Sequence, residues 1–245
     1  DVYKRQIYKQ IPNKNNKVSP IGGDLEGATA IFDMDGTLVN NTPYHYQAWQ
    51  QLFKKYDMPE LSRETYLTNI SGVPILNTLK KYFGDDTDEA KMKQLIKEKK
   101  DFYEADFTPF LRPINALETF LLDLKNAGVK IALATSSSME DVDFIFGTMH
   151  IRQHFDAIII GSMVSEPKPS PQIFLKAAEH LNALPEKCVV FEDSISGLKA
   201  GRKAGMKVVG ITTAHPAETV TKLADLVIND YADIDLHKMA ALFDK

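Results

Sequence analysis

Short apolar runs alternate with amphipathic segments along most of the chain. Each run is only three to five residues long, and we interpret the runs as buried strands. They lie at residues 28–32, 130–134, 157–160, 188–191, 207–211 and 226–228. Between them, apolar residues recur at helical spacing in segments 116–126, 141–149, 171–181 and 195–204. Apolar strands that alternate with helices are typical of a parallel sheet covered on both faces, so the pattern predicts an α/β fold.

The stretch 42–109 breaks this alternation, because it contains no strand-like run. Apolar residues recur there at helical spacing over 43–56, and residues 62–107 are predicted to continue as helix. We therefore predict a helical cap domain at 42–109. It is inserted into a core made of residues 28–41 and 110–245.

The first 27 residues look foreign to the rest of the chain. They contain the polar run Asn13-Lys14-Asn15-Asn16-Lys17 and show no clear period. The segment from Asp1 to Gln6 resembles a translated sequencing-transposon adapter. We expect residues 1–27 to be disordered or artefactual, and we exclude them from the fold. A short basic targeting arm is the alternative.

Composition narrows the class of protein. The chain has 245 residues and a formal net charge of −4, which gives no reason to expect a nucleic-acid partner. No apolar stretch reaches the roughly 18 residues of a membrane span, and we see no apolar signal-peptide core. The single cysteine, Cys188, excludes an intrachain disulfide and fits a buried structural thiol. We expect a cytoplasmic protein, monomeric by default, with no membrane partner.

Polar side chains follow the predicted strands at the points where the strands end. The carboxyl ends of parallel strands share one edge of the sheet, and ligands bind at that edge. The residues concerned are Asp33, Asp35, Thr135, Ser136, Glu192 and Asp193, with Lys168 in a loop after a further strand. We expect these side chains to converge on one site.

Carboxylates gathered at one edge repel one another unless a cation lies among them. The four concerned are Asp33, Asp35, Glu192 and Asp193. All their donors are hard oxygens, and no cysteine or histidine stands near them in sequence, so the set favours Mg²⁺ over zinc. Such a site keeps open positions for a substrate phosphate. For Asp33 alone, a strand-end turn or a helix cap is the alternative.

The same residues suit phosphoryl transfer. Asp33 is a candidate nucleophile that forms an aspartyl-phosphate, and Asp35 is a candidate acid and base for its formation and breakdown. Lys168 would balance charge on the transferring group. Thr135 and Ser136 offer a hydroxyl and N–H groups at a strand-to-helix turn, which suits phosphate binding. A solvated surface charge is the alternative for Lys168, and helix capping alone would explain the neighbouring Ser137 or Ser138.

Four motifs in this order resemble the haloacid dehalogenase-like superfamily of phosphohydrolases. They are Asp33-Met34-Asp35-Gly36-Thr37, Thr135-Ser136, Lys168 and Glu192-Asp193. The resemblance covers residues 28 to about 240. It implies a Rossmann-like core with a helical cap, as in the subfamily that contains β-phosphoglucomutase.

The resemblance also implies residue roles. Asp33 would be the nucleophile and Asp35 the general acid and base. The implied ligands of Mg²⁺ are the Asp33 side chain, the Asp35 backbone carbonyl, Glu192 and Asp193, and the implied phosphoryl-binding residues are Thr135, Ser136 and Lys168. The superfamily's dehalogenases lack the second aspartate and the metal, so Asp35 argues against dehalogenation.

The predicted cap allows a closer comparison. His45, Trp49 and Lys99 match cap residues that face the active site of β-phosphoglucomutases, although ordinary solvated helix positions explain His45 and Lys99 equally well. Those mutases place an arginine where Ile75 stands and a lysine where Ser71 stands. A mutase must bind a second phosphate, and without the arginine it loses a bidentate anchor.

Three hypotheses follow. The first is a Mg²⁺-dependent phosphatase of a small, sugar-phosphate-like metabolite, and the absent arginine favours it. The second is a β-phosphoglucomutase-type phosphosugar mutase on the same scaffold. The third is a non-catalytic binding module, against which the intact set of Asp33, Asp35, Lys168 and Asp193 argues.

Overall fold

A computed structural model describes residues 25–244. Residues 1–24 lie outside this range, so the prediction for the N-terminal segment falls almost wholly outside the described residues. Within the range, six strands form one sheet. The strands are β1 (Thr29–Phe32), β2 (Lys130–Ala134), β3 (Ala157–Ile159), β4 (Cys188–Glu192), β5 (Lys207–Ile211) and β6 (Leu226–Ile228). Their order is β3-β2-β1-β4-β5-β6 and every neighbouring pair is parallel, which confirms the predicted α/β fold.

Ten α-helices accompany the sheet in the described part of the chain. Five lie between β1 and β2: α1 (Thr42–Lys55), α2 (Arg63–Asn69), α3 (Ile75–Phe83), α4 (Glu89–Phe107) and α5 (Leu117–Asn126). Five follow β2: α6 (Met139–Met149), α7 (Gln172–His180), α8 (Ile195–Lys203), α9 (Ala217–Val220) and α10 (Leu236–Ala240). Among the described residues no helix is both long and apolar enough to cross a membrane.

The core lies on both faces of the sheet, because alternate residues of β1 enter different apolar clusters. Phe32 packs on one face with Phe120 of α5, and Ile31 packs on the other with Phe174 of α7. Phe32 also stacks on Phe191 of β4, with ring centroids 4.4 Å apart. The same two phenylalanines are partners in the strand register. The central strands therefore end level with each other.

Helices α1 to α4 have an apolar core of their own. It contains Trp49 and Leu52 of α1, Leu79 of α3 and Leu95 of α4. This confirms the helical cap as part of the fold. The two chain segments that join cap and core run side by side, since the Ile114 N–H donates to the Leu38 carbonyl oxygen at 2.9 Å.

The prediction of continuous helix over residues 62–107 is wrong, because the chain breaks the helix twice. Gly72 has φ +74°, a left-handed conformation that favours glycine, and Pro74 caps α3 two residues later. Gly84 ends α3 with φ +103°. The result is three separate helices, α2 to α4.

Candidate active site

Three carboxylates meet at the carboxyl ends of β1 and β4. One oxygen from each of Asp33, Glu192 and Asp193 lies within 4.8 Å of the others. All three side chains are buried, Asp33 being 6% exposed. Gly36 permits this approach, because a Cβ at that position would overlap the Asp193 carboxylate. The first motif therefore uses its glycine to make room for the last one.

Lys168 joins the cluster from the loop after β3. Its Nζ donates to Asp33 Oδ1 at 2.6 Å and to Glu192 Oε1 at 2.7 Å. The ammonium also lies 4.9 Å from the ring centroid of Phe174. Although burial lowers it, the pKa of Lys168 is raised by the two carboxylates. Lys168 is thus held as a buried cation between the first and fourth motifs.

One lysine does not offset three buried carboxylates. Burial raises the pKa of Asp33 to about 8, and the charge of Glu192 adds to the rise. The Lys168 ammonium lowers this pKa but does not cancel the rise. Burial and Glu192 also raise the pKa of Asp193 well above its usual range. A bound divalent cation would offset this repulsion, and the donors are hard oxygens. The cluster therefore fits a divalent metal held by Asp33, Glu192 and Asp193.

The Asp35 side chain is outside that cluster and has other partners. Its Oδ1 accepts from Asn41 Nδ2 at 2.5 Å and lies 3.3 Å from His45 Nε2, and its Oδ2 accepts from Ser137 Oγ at 2.6 Å. Although burial opposes it, these interactions hold the pKa of Asp35 below its usual range. Any metal contact by Asp35 rests on its backbone carbonyl and stays a prediction.

His45 and Lys99 of the cap extend this network. Lys99 Nζ lies 2.6 Å from His45 Nδ1, and the His45 ring stacks on Tyr103 at a centroid distance of 4.0 Å. Burial and the nearby Lys99 lower the pKa of His45, and burial lowers the pKa of Lys99 to about 8. The geometry suits a Lys99 ammonium that donates to Nδ1, and in that arrangement the ring proton is on Nε2 and faces Asp35.

Thr135 and Ser136 lie at the end of β2, as predicted. Thr135 is 1% exposed, and its Oγ1 accepts from the Ser137 N–H at 3.1 Å. Ser136 Oγ is 3.4 Å from the carbonyl oxygen of Gly72, in the cap segment between α2 and α3. Both residues face the site, and their role in phosphate binding stays a prediction.

One cavity of about 820 Å³ joins core and cap. Nine of the ten predicted site residues line it: Asp33, Asp35, His45, Trp49, Lys99, Thr135, Ser136, Glu192 and Asp193. The tenth, Lys168, is not among the lining residues but donates to two of them, Asp33 and Glu192. Ser71 and Ile75 also line the cavity. The structure therefore brings nine of the ten predicted residues to one cavity between cap and core, and their roles stay predictions.

The sequence prediction missed five residues in or around the site: Asn41, Tyr103, Ser137, Lys100 and Asp141. Asn41 accepts from the Gly36 N–H at 3.0 Å and also donates to Tyr103 Oη at 2.8 Å, in addition to its bond to Asp35. Ser137 donates to Asp35. Lys100 of α4 forms an ion pair with Asp141 of α6 at 3.1 Å, which links cap to core. Only Ser137, next to a predicted phosphate-binding pair, carried a signal in the sequence.

The chain is similar to a known family and to characterised proteins. A family model described as haloacid dehalogenase-like hydrolase matches residues 30–211. A phosphorylated carbohydrates phosphatase of Thermotoga maritima is 33% identical over 181 residues, which are 72% of this chain and 81% of that protein. The β-phosphoglucomutase of Bacillus subtilis is 32% identical over 214 residues, 84% of this chain and 91% of that protein.

A solved structure supports the same fold. The crystal structure of a β-phosphoglucomutase from Clostridium difficile matches with a TM-score of 0.78 and 24% identity. The match covers 89% of this chain and 97% of that one. At this level of identity the likeness concerns the fold: a Rossmann-like parallel sheet with a helical cap.

Proposed function

The chain belongs to the haloacid dehalogenase-like hydrolase family and is a phosphoric monoester hydrolase, and from that premise we propose that it is a Mg²⁺-dependent phosphatase of a small phosphorylated metabolite. The observation that carries the proposal is the buried cluster in which Lys168 bridges Asp33 and Glu192 at 2.6 and 2.7 Å. A second carboxylate, Asp35, is held separately two residues from the proposed nucleophile. This division gives the two aspartates different roles.

In the first step, a carboxylate oxygen of Asp33 attacks phosphorus and the bond to the ester oxygen breaks. The departing ester oxygen takes a proton from Asp35 and leaves as the hydroxyl group of the product alcohol. In the second step, Asp35 removes a proton from water as the water oxygen attacks phosphorus. Inorganic phosphate leaves, Asp33 is restored, and Asp35 is protonated again for the next cycle.

Asp35 must change its protonation state during this cycle. Its three hydrogen-bonding neighbours favour the carboxylate, which suits the base role in the second step. The acid role needs a protonated Asp35, and an arriving phosphate dianion would raise the pKa of a neighbouring carboxyl group. The contact of Asp35 with His45 of the cap ties this change to the position of the cap.

The proposed Mg²⁺ ligands are Asp33, Glu192 and Asp193, with the Asp35 backbone carbonyl as a further candidate. Mg²⁺ would supply charge neutralisation for the phosphoryl oxygens and for the carboxylates themselves. Lys168 would neutralise a further share of the phosphoryl charge, and Thr135 and Ser136 would donate to the phosphoryl oxygens.

The proposal is tested by phosphate release from a panel of phosphorylated metabolites in the presence of Mg²⁺. We expect release from at least one small monoester, and a fall by a factor on the order of 10³ or more in Asp33→Asn. Asp123→Asn, which changes an exposed carboxylate of α5, is the matched control and should retain full activity. Equal rates for Asp33→Asn and the unchanged protein would show that Asp33 is not the nucleophile.

A phosphosugar mutase is the second candidate, supported by the similarity to the Bacillus subtilis β-phosphoglucomutase. Ile75 and Ser71 line the cavity and provide no charge for a second phosphate, which supports the phosphatase. Incubation with β-glucose 1-phosphate distinguishes the two activities. A phosphatase releases inorganic phosphate, whereas formation of glucose 6-phosphate without phosphate release would support the mutase.

A further inference from the structure

The cap contributes an apolar surface to the cavity, beside its polar lining residues. We call this surface the apolar wall, and it consists of Ile70, Val73, Pro74, Ile75, Leu76 and Ile96. Leu76 is 42% exposed although it is a large apolar residue. Covering such a side chain with an apolar ligand surface removes it from water, which favours binding.

The cationic side chains that line the cavity are already engaged. Among the described lining residues these are Lys99 and Lys100, together with His45 when protonated. Lys99 lies 2.6 Å from His45 Nδ1, and Lys100 is paired with Asp141 at 3.1 Å and donates to Ser138 Oγ at 3.0 Å. A second anionic group on a ligand would have to break one of these interactions. Such a group would therefore bind poorly.

The wall near Lys100 also carries negative charge. Glu140 at the start of α6 lines the cavity beside Asp141, whose charge is balanced by Lys100. Like charges repel a second phosphate or carboxylate that approaches this side of the site. Charge and apolar surface thus favour the same type of ligand.

The size of the cavity indicates that the ligand is more than a phosphate. A volume of about 820 Å³ falls within the range of sites that enclose a whole small molecule. In the proposed reaction, the phosphoryl group would occupy only the end formed by the core. The remaining volume, bounded by the apolar wall, is available to the leaving group.

We propose that the substrate is a phosphate monoester whose leaving group is uncharged and presents an apolar face to the apolar wall. This inference rests on the proposed phosphatase activity and adds the chemical class of the leaving group. It makes Ile75 and Ile96, on two different cap helices, specificity-determining residues. It also predicts discrimination against substrates with a second phosphate.

A series of primary n-alkyl phosphates from ethyl to hexyl phosphate tests the apolar contact, because the acidity of the leaving alcohol is nearly constant along it. Burial of one methylene group can raise kcat/KM by up to about fourfold. We expect kcat/KM to rise about threefold for each methylene added. Ile75→Ser and, separately, Ile96→Ser should flatten the slope. Leu122→Ser, at an exposed leucine of α5, should leave the slope unchanged.

A matched pair of substrates tests the charge. We expect kcat/KM for 6-hydroxyhexyl phosphate to exceed that for hexane-1,6-diyl bisphosphate at least about tenfold, and Ile75→Arg to narrow this ratio. A flat alkyl series, or equal turnover of the pair, in protein that releases phosphate from ethyl phosphate would overturn the inference and leave the phosphatase in place. Absence of Asp33-dependent phosphate release from every compound would instead overturn the proposed phosphatase itself.

Discussion

The two halves of the cavity follow opposite designs. At the core end, the carboxylates of Asp33 and Glu192 are buried within 2.7 Å of the Lys168 ammonium, and their positions are set by adjacent strands. At the cap end, side chains such as Ile75 and Leu76 are partly exposed and uncharged. The difference indicates that residues of the core carry out the reaction at phosphorus, while residues of the cap select the leaving group of the substrate. Each half can be perturbed by itself.

Removal of metal should have the largest effect, and it acts on the core half. Neutralisation of the phosphoryl charge by a metal contributes several kcal/mol, so phosphate release should fall about a thousandfold in EDTA. Addition of excess Mg²⁺ should restore it. Undiminished activity in protein shown to be metal-free by atomic absorption would contradict the role of the carboxylate cluster.

Lys168→Met, in the core half, should lower both the free energy of unfolding and the rate of phosphate release. It removes the cation between two buried carboxylates, which should lower the free energy of unfolding by about 3 kcal/mol in metal-free protein. The rate should fall on the order of a hundredfold, because a donor to the transferring group is lost. Chemical denaturation and steady-state kinetics measure the two effects.

Lys222→Met is the control for that change, since Lys222 is an exposed lysine. Both its stability and its rate should match the unchanged protein. If Lys168→Met were as stable and active as Lys222→Met, the bridging role of Lys168 would be refuted.

Lys99→Met should separate stability from activity in the cap half. Burial lowers the pKa of Lys99 from 10.5 to about 8, so the folded state disfavours the ammonium. Between pH 8 and 10.5 the Lys99 side chain is protonated in the unfolded chain but not in the folded protein. The unchanged protein therefore carries the full destabilisation below pH 8, and its free energy of unfolding rises as the pH rises toward 10.5. At pH 7 the Lys99→Met variant should therefore have a free energy of unfolding about 1–2 kcal/mol higher, after allowance for the lost bond to His45. It should also unfold at a higher temperature.

The gain should shrink at pH 10, and kcat should fall about tenfold because the proton on His45 loses its fixed position. Thermal unfolding at the two pH values and a kcat measurement check this pair of effects. A variant that is less stable at pH 7, or one that keeps full activity, would show that Lys99 is a structural cation only.

Lys100→Met should have the smallest effect, since it breaks a partly exposed ion pair between α4 of the cap and Asp141 of the core. Such pairs contribute about 0.2–1 kcal/mol, so KM should rise by up to about fivefold with little change in kcat. The effect should diminish in high salt. Lys97→Met, which breaks an exposed pair with Asp101 within α4, is the matched control and should not alter KM.

The core was predictable from the sequence because its strands are continuous apolar runs with polar residues at their ends. The predicted bounds of β2, β5 and β6 agree with the structure. The short helices α9 (Ala217–Val220) and α10 (Leu236–Ala240) were not predicted, since four or five residues contain too little of a helical period to detect. Strand ends are local signals, and the core half of the cavity is made from them.

The contacts around Asp35 and those between core and cap were less accessible, because they join distant parts of the chain. Asn41 meets Tyr103 across 62 residues, and Ser137 meets Asp35 across 102. No local pattern marks Asn41 as the residue that holds the Asp35 side chain. The break at Gly72, which gives the apolar wall its loop, also depends on a left-handed conformation that helical spacing does not reveal.

The most direct test of the whole account is the detection of a phosphoryl group on Asp33. The enzyme is mixed with Mg²⁺ and a compound that it hydrolyses, and the reaction is quenched in acid during the first turnovers. The protein is then digested and examined by mass spectrometry. We predict that the peptide containing Asp33 gains the mass of one phosphoryl group, and that Asp33→Asn protein gains none. A phosphoryl group found on another residue, or an unmodified Asp33 peptide in enzyme shown to accumulate a covalent intermediate, would contradict the account.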